Sequence, residues 1–147
     1  MEKSNSFTLG ENNLNEIINQ IIKLISSGNI VILLEGDLGA GKTRLTQEII
    51  KTYDSSAVVQ SPTFVIERIY EIKHKKTVNY IHHLDLYRLR YYSEFIDLGF
   101  KDLIYQKGHI FIIEWPKLIE DKLKNYIKIK IENVNNGHER KYTIIKK

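Results

Sequence analysis

The eight residues Gly36-Asp37-Leu38-Gly39-Ala40-Gly41-Lys42-Thr43 follow the spacing Gly-x-x-x-x-Gly-Lys-Thr. That spacing suits one task, the grip of a phosphate chain. Glycines let backbone wrap an anion with no Cβ in the way. The N–H groups of such a loop, and of the helix behind it, point at phosphate oxygens, and the helix dipole favours them. Lys42 is placed to reach the terminal phosphates, and the Thr43 hydroxyl to coordinate magnesium. The competing reading is a glycine-rich turn. It fits the flanks less well, because an apolar run, Ile30 to Leu34, precedes the loop and a helical pattern follows it. Asp37, Leu38, Gly39, Ala40, Gly41, Lys42 and Thr43 are therefore the candidate phosphate contacts.

Such a loop works with an acid near the metal, usually at the end of a neighbouring strand. Two acids qualify by position. Asp85 closes Val78-Asn79-Tyr80-Ile81-His82-His83-Leu84, and Glu114 closes Ile110-Phe111-Ile112-Ile113. The carboxyl ends of buried strands are where α/β sheets bind ligands. Position alone leaves two readings open for each: a metal-site acid, or an acid marking the strand's exit into water. His82 and His83 are not a metal pair, since neighbours on a strand face opposite ways.

The elements that must hold these groups read as follows. Asn12 to Ser26 carries Leu14, Ile17, Ile18, Ile21, Ile22 and Ile25 at helical spacing, with Asn12 or Asn13 as cap and Gly28 as stop. Ile30 to Leu34 is a buried central strand. Thr43 to Tyr53 is a helix with Leu45, Ile49 and Ile50 inward. Val58-Val59 starts a second strand that Ser61-Pro62 interrupts. Phe64 to Ile72 and Thr77 to Leu84 form an antiparallel hairpin around the solvated tip Lys73 to Lys76. Ser93 caps a short helix that Gly99 ends. His109 to Ile113 is a second buried strand. Tyr126 to Ile131 and Lys141 to Ile145 alternate apolar with polar, and Asn133 to Gly137 joins them as a last hairpin. The sum is an α/β fold: a three-layer P-loop NTPase-like domain, a mixed β-sheet with flanking helices. It is expected to be one domain over residues 1–147.

Ser61-Pro62-Thr63-Phe64, His83-Leu84-Asp85-Leu86-Tyr87-Arg88-Leu89 and Glu114-Trp115-Pro116 occur in that order behind the P-loop. With the loop, this set resembles the TsaE (YjeE) family of bacterial ATPases, which serve the synthesis of threonylcarbamoyladenosine on tRNAs that read codons starting with A. The resemblance runs from about Leu14 to the last hairpin. It implies ATP and magnesium as cofactors and TsaB and TsaD as protein partners, with tRNA met through that complex. Residue by residue, it implies that Lys42 contacts phosphates and that Thr43 and Glu114 hold magnesium. Asp85 matches an essential aspartate acting on the metal shell or the attacking water. The catalytic set is thus Lys42, Asp85 and Glu114. Ser61 to Phe64 match a switch segment in which Thr63 senses the γ-phosphate, and Trp115 matches a tryptophan beside the nucleotide. Asn15 stands where the family usually has a small polar residue, often Thr, close to the adenine. Arg140 approaches the nucleotide or a partner. Tyr87 and Arg88 read as surface or partner contacts.

The bulk properties agree with a small cytoplasmic protein. The chain has 147 residues, 42% hydrophobic and 27% charged, with a formal net charge of +4. It has no cysteine, which excludes disulfides, thiolate metal sites and cysteine catalysis. Its longest aliphatic run is far short of a membrane span, and Met1 to Ser6 carries no apolar signal core. A monomer is expected for the isolated chain. Two other functions use the same loop: a small-molecule kinase, and a nucleotide-gated binding module without catalysis. Arg88 and Arg90 are too few for a kinase lid, and Asp85 and Glu114 speak against a module with no working acids. No Asn-Lys-x-Asp base-recognition motif is present, which speaks against a GTPase.

Overall fold

The computed structural model of the chain describes residues 3–10, 13–28 and 30–147. Seven strands form one sheet: β1 (Lys3–Gly10), β2 (Val31–Glu35), β3 (Glu67–Glu71), β4 (Tyr80–Asp85), β5 (His109–Glu114), β6 (Ile127–Val134) and β7 (Glu139–Lys146). Their spatial order is β1-β7-β6-β2-β5-β4-β3. The central strands β6, β2, β5 and β4 run parallel, and antiparallel neighbours close both sides.

The helices cover both faces, which is why the central strands are nearly continuous apolar runs. Ile32 and Leu34 of β2, with Ile110 and Ile112 of β5, meet helices α1 (Asn15–Ser26) and α2 (Lys42–Tyr53) through Ile17, Ile21, Leu45 and Ile49. The alternate residues Val31, Leu33, Phe111 and Ile113 face the other way. They pack with Phe95 of α3 (Tyr92–Asp97), Phe100 of α4 (Phe100–Leu103) and Ile119. The architecture is the expected three-layer α/β arrangement with a mixed sheet.

Local expectations fail where no tertiary partner exists or where an unforeseen one does. Val58-Val59 form no strand: Val58 is 81% exposed, and no neighbouring strand lies alongside. The Asp54 carboxylate instead accepts from the Ser56 N–H and hydroxyl, making a turn. The first hairpin starts at Glu67, because Phe64 to Ile66 are bent into a turn that Pro62 O closes by accepting from the N–H groups of Val65 and Ile66. Ser93 does not cap α3. The Glu94 carboxylate reaches back to the N–H groups of Arg90 and Tyr91. Helix α1 begins at Asn15 with no side-chain cap, so Asn13 does not fill that role, and Asn12 lies outside the described residues. Strand β1, where no element is expected from the sequence, pairs with β7 along its full length. Helix α4 also went unanticipated.

Candidate active site

The P-loop joins the end of β2 to the start of α2. Gly36 must be glycine: a Cβ there would lie 2.8 Å from the Ile131 carbonyl oxygen and 3.0 Å from Ala40 Cβ. Gly39 and Gly41 turn with φ of +78° and +102°, and a Cβ on either would meet no protein atom within 4 Å. That open space beside left-handed backbone is room for an anion. Helix α2 has Gly41 at its N-cap, no side-chain cap bond and no acid in its first turn. Its positive end is thus not compensated by a side chain of its own first turn.

Lys42 is buried, and its Nζ donates to Gly36 O at 2.6 Å and to Asp37 O at 2.9 Å. It also lies 4.2 Å from the centroid of the Trp115 ring. An ammonium has three donors, so one remains for a phosphate oxygen. Burial pulls the Lys42 pKa below its ordinary value, against the opposing pull of Glu114, Asp85 and Asp37.

The two acids stand side by side, because Asp85 and Glu114 are register partners on the parallel strands β4 and β5. Both are buried. Glu114 Oε1 accepts from Thr43 Oγ1 at 3.0 Å and from His83 Nε2 at 2.8 Å. Asp85 Oδ2 accepts from Thr63 Oγ1 at 3.1 Å, and its Oδ1 accepts from the Tyr87 N–H at 2.9 Å. A hydroxyl and a carboxylate together are a donor set that suits magnesium, which keeps several waters and takes phosphate oxygens for the rest. A cleft of about 440 Å³ opens over these groups, walled by Gly39, Gly41, Lys42 and Thr43 on one side and by Thr63, Asp85, Glu114 and Trp115 on the other.

The chain matches the profile of the family described as "Threonylcarbamoyl adenosine biosynthesis protein TsaE" over residues 8–142. It belongs to the TsaE family. Among curated relatives named "tRNA threonylcarbamoyladenosine biosynthesis protein TsaE", that of Rickettsia typhi is 40% identical over 97 residues, covering 65% of this chain and 62% of the relative. That of Rickettsia conorii is 35% identical over 132 residues, covering 85% and 71%. That of Bacillus subtilis is 39% identical over 93 residues, covering 63% and 54%. The match thus spans about three fifths of the length of the first of these relatives. The crystal structure of Bacillus subtilis YdiB superposes with a TM-score of 0.70 at 26% identity, covering 99% of this chain and 87% of that one.

Within this TsaE-family fold the candidate residues divide into two groups. Leu38, Gly39, Gly41, Lys42, Thr43, Thr63, Asp85, Glu114 and Trp115 share the cleft. Asp37 lines a neighbouring cavity with Gly36, Trp115 and Lys130, and Ala40 is buried beneath the loop. Arg140 stays outside the cleft and braces the loop, donating from Nε to Ala40 O at 3.2 Å. Asn15 is not brought to the cleft. It lies at the start of α1, in a shallow cavity with Glu48, Lys51 and Thr52, beside the far half of α2.

Sequence reasoning passed over Arg44 and left Tyr87 outside the site. Tyr87, read as a surface or partner contact, is exposed and also packs against Trp115 at the cleft, with ring centroids 5.0 Å apart. Arg44 and Ser61 also line the cleft, and the Ser61 hydroxyl lies 2.7 Å from that of Thr63. The P-loop's position immediately before α2 was the available signal for Arg44.

Proposed function

We propose that the chain is a single P-loop domain that binds ATP with magnesium and hydrolyses it within the machinery that makes threonylcarbamoyladenosine on tRNA, alongside TsaB and TsaD. The observation that carries this reading is the 3.0 Å bond from Thr43 Oγ1 to Glu114 Oε1. It joins the first turn of the P-loop helix to the end of the neighbouring parallel strand, where a P-loop ATPase needs its metal. Family membership supports the biological setting.

In this reading the loop N–H groups and Lys42 hold the phosphates, and Thr43 and Glu114 hold magnesium. A magnesium ion held there would supply charge neutralisation on the phosphates. The protein's part is positioning and electrostatics rather than covalent chemistry. Asp85, fixed by the Tyr87 N–H and by Thr63, orients the attacking water or the metal's water shell. Because Thr63 ties the segment 61–66 to Asp85, a γ-phosphate that engaged Thr63 would release or tighten that segment. Trp115 covers Lys42 and borders the nucleotide. No helix among the described residues is long and apolar enough to cross a membrane. The chain works as a cytoplasmic monomer until it meets its partners, and its turnover alone is slow because the switch is incomplete without them.

The test is tRNA threonylcarbamoylation in a reconstituted mixture of matching TsaB, TsaD, the threonylcarbamoyl donor and tRNA. It is run with this chain, without it, and with Glu114→Ala, while ATP hydrolysis is followed. Repeated rounds that depend on the wild-type chain, with hydrolysis rising when the complex is present, are expected. A chain that alters neither quantity overturns the proposal.

A further inference from the structure

His83 sits on β4 beneath α2, with no exposed surface. Its Nε2 lies 2.8 Å from Glu114 Oε1, and its Nδ1 is buried with no hydrogen-bond partner among the described residues. A buried imidazole with one nitrogen unpartnered is an expensive way to fill a core, where Leu or Ile would pack without loss. Its neighbour on the opposite face shows the ordinary solution. His82 is also buried, yet both its nitrogens are partnered, Nδ1 with Glu67 at 2.6 Å and Nε2 with His109 at 2.8 Å. The difference needs a reason, and the one hydrogen bond of the His83 ring among the described residues goes to Glu114.

We infer that His83 is a positioning residue: its Nε2–H, bonded to Glu114 Oε1, holds that carboxylate in the orientation that receives magnesium. This rests on the reading of Glu114 as a metal group given above. An ionised carboxylate only accepts, so the proton of this bond belongs to Nε2, while Nδ1 has no partner among the described residues. Oε1 then takes two donors, His83 and Thr43, from two different elements. That fixes the carboxylate's plane. Oε2 takes no hydrogen bond from any described residue, and it is the oxygen left for the metal or its waters. Partners that hold a metal-binding carboxylate in this way typically affect metal affinity 10–100-fold.

The experiment titrates magnesium into the full chain with ADP present, by calorimetry, for wild type, His83→Leu, His83→Gln and Glu114→Ala. ADP affinity without magnesium is measured in parallel. In His83→Leu the magnesium concentration for half-saturation should rise by about 10–100-fold, with metal-free ADP affinity close to wild type. His83→Gln, whose amide nitrogen lies near the place of Nε2, should restore most of the loss. A residue that merely filled space would show the reverse order, with Leu the milder change. Unchanged magnesium affinity in His83→Leu, while Glu114→Ala weakens it, overturns the role of His83 alone. Unchanged affinity in Glu114→Ala overturns the metal assignment beneath it. Should His83→Leu not fold, the ¹⁵N-imidazole spectrum of the wild-type chain decides. A proton on Nε2 is expected, and a ring that carries its proton on Nδ1 alone refutes the inference.

Discussion

Replacing Lys42 by methionine removes the charge of the P-loop lysine, and with it the ammonium's contact with Trp115, while keeping most of the stem. Two of the three ammonium donors are spent on Gly36 O and Asp37 O. The third is the one a phosphate oxygen would take. A hydrogen bond to a charged group contributes about 1.5–3 kcal/mol, and each 1.4 kcal/mol is about tenfold. Lys42→Met should therefore raise the Kd for ATP by about 10–100-fold. Stability should respond less, since two opposed effects accompany the change. The desolvation that pulls the Lys42 pKa down disappears, while Glu114, Asp85 and Asp37 lose their nearest cation. Calorimetric titration with ATP in the absence of magnesium reads the phosphate contact alone, and a thermal melt reads the fold. A folded Lys42→Met chain that binds ATP as tightly as wild type would show that the anion does not sit on this loop, and the proposed function would fall with it.

Two further outcomes test the frame around the site. Gly36→Ala places a Cβ against the Ile131 carbonyl at 2.8 Å and Ala40 Cβ at 3.0 Å; overpacking of about 1–3 kcal/mol should lower the melting temperature by several degrees, and a variant melting with wild type would show that β6 does not press on the loop. His109 has its pKa pulled below the ordinary 6.5, first by burial and then by His82 beside it. As the pH falls from 6.5, the unfolded chain takes up that proton before the folded one, so stability is lost on acidification through the window below 6.5. His109→Gln should flatten that acid limb in denaturant melts across the window, and an unchanged slope would refute it.

What could be read from the sequence was what short stretches of chain decide for themselves. The P-loop, the buried runs of β2 and β5 and the last hairpin are local patterns, and all lie within a few residues of where periodicity puts them. Strand β1 could not be read this way. Only Phe7 and Leu9 turn towards the core, and its existence depends on pairing with β7 at the other end of the chain. Val58-Val59 failed for the converse reason: two β-branched residues favour a strand, but no neighbouring strand completes a ladder for them. Asn15 was assigned by matching a position in a family pattern. The packing of α1 along α2 sets it beside Glu48, Lys51 and Thr52 instead.

The candidate site divides along the same line. Each acid was visible as the residue that closes a strand, but the bond from Thr43 to Glu114 was not. Thr43 and Glu114 are 71 residues apart in sequence and meet only because β2 and β5 are parallel neighbours. His83 is 31 residues from Glu114 and meets it only because β4 pairs with β5 in the register that sets Asp85 beside Glu114. The period of two along β4 did establish that His82 and His83 face opposite ways, and it excluded a shared metal. The register adds the consequence: the odd-numbered side of β4 carries His83 and Asp85 together under α2, so one strand supplies both the support of one acid and the whole of the other. A one-residue slip of β4 would move the two together to the α3 side and leave Glu114 without its buried donor. Pairing of this strand and construction of the acid pair are therefore one event, and disruption of β4 is expected to remove the acid pair before it removes the loop.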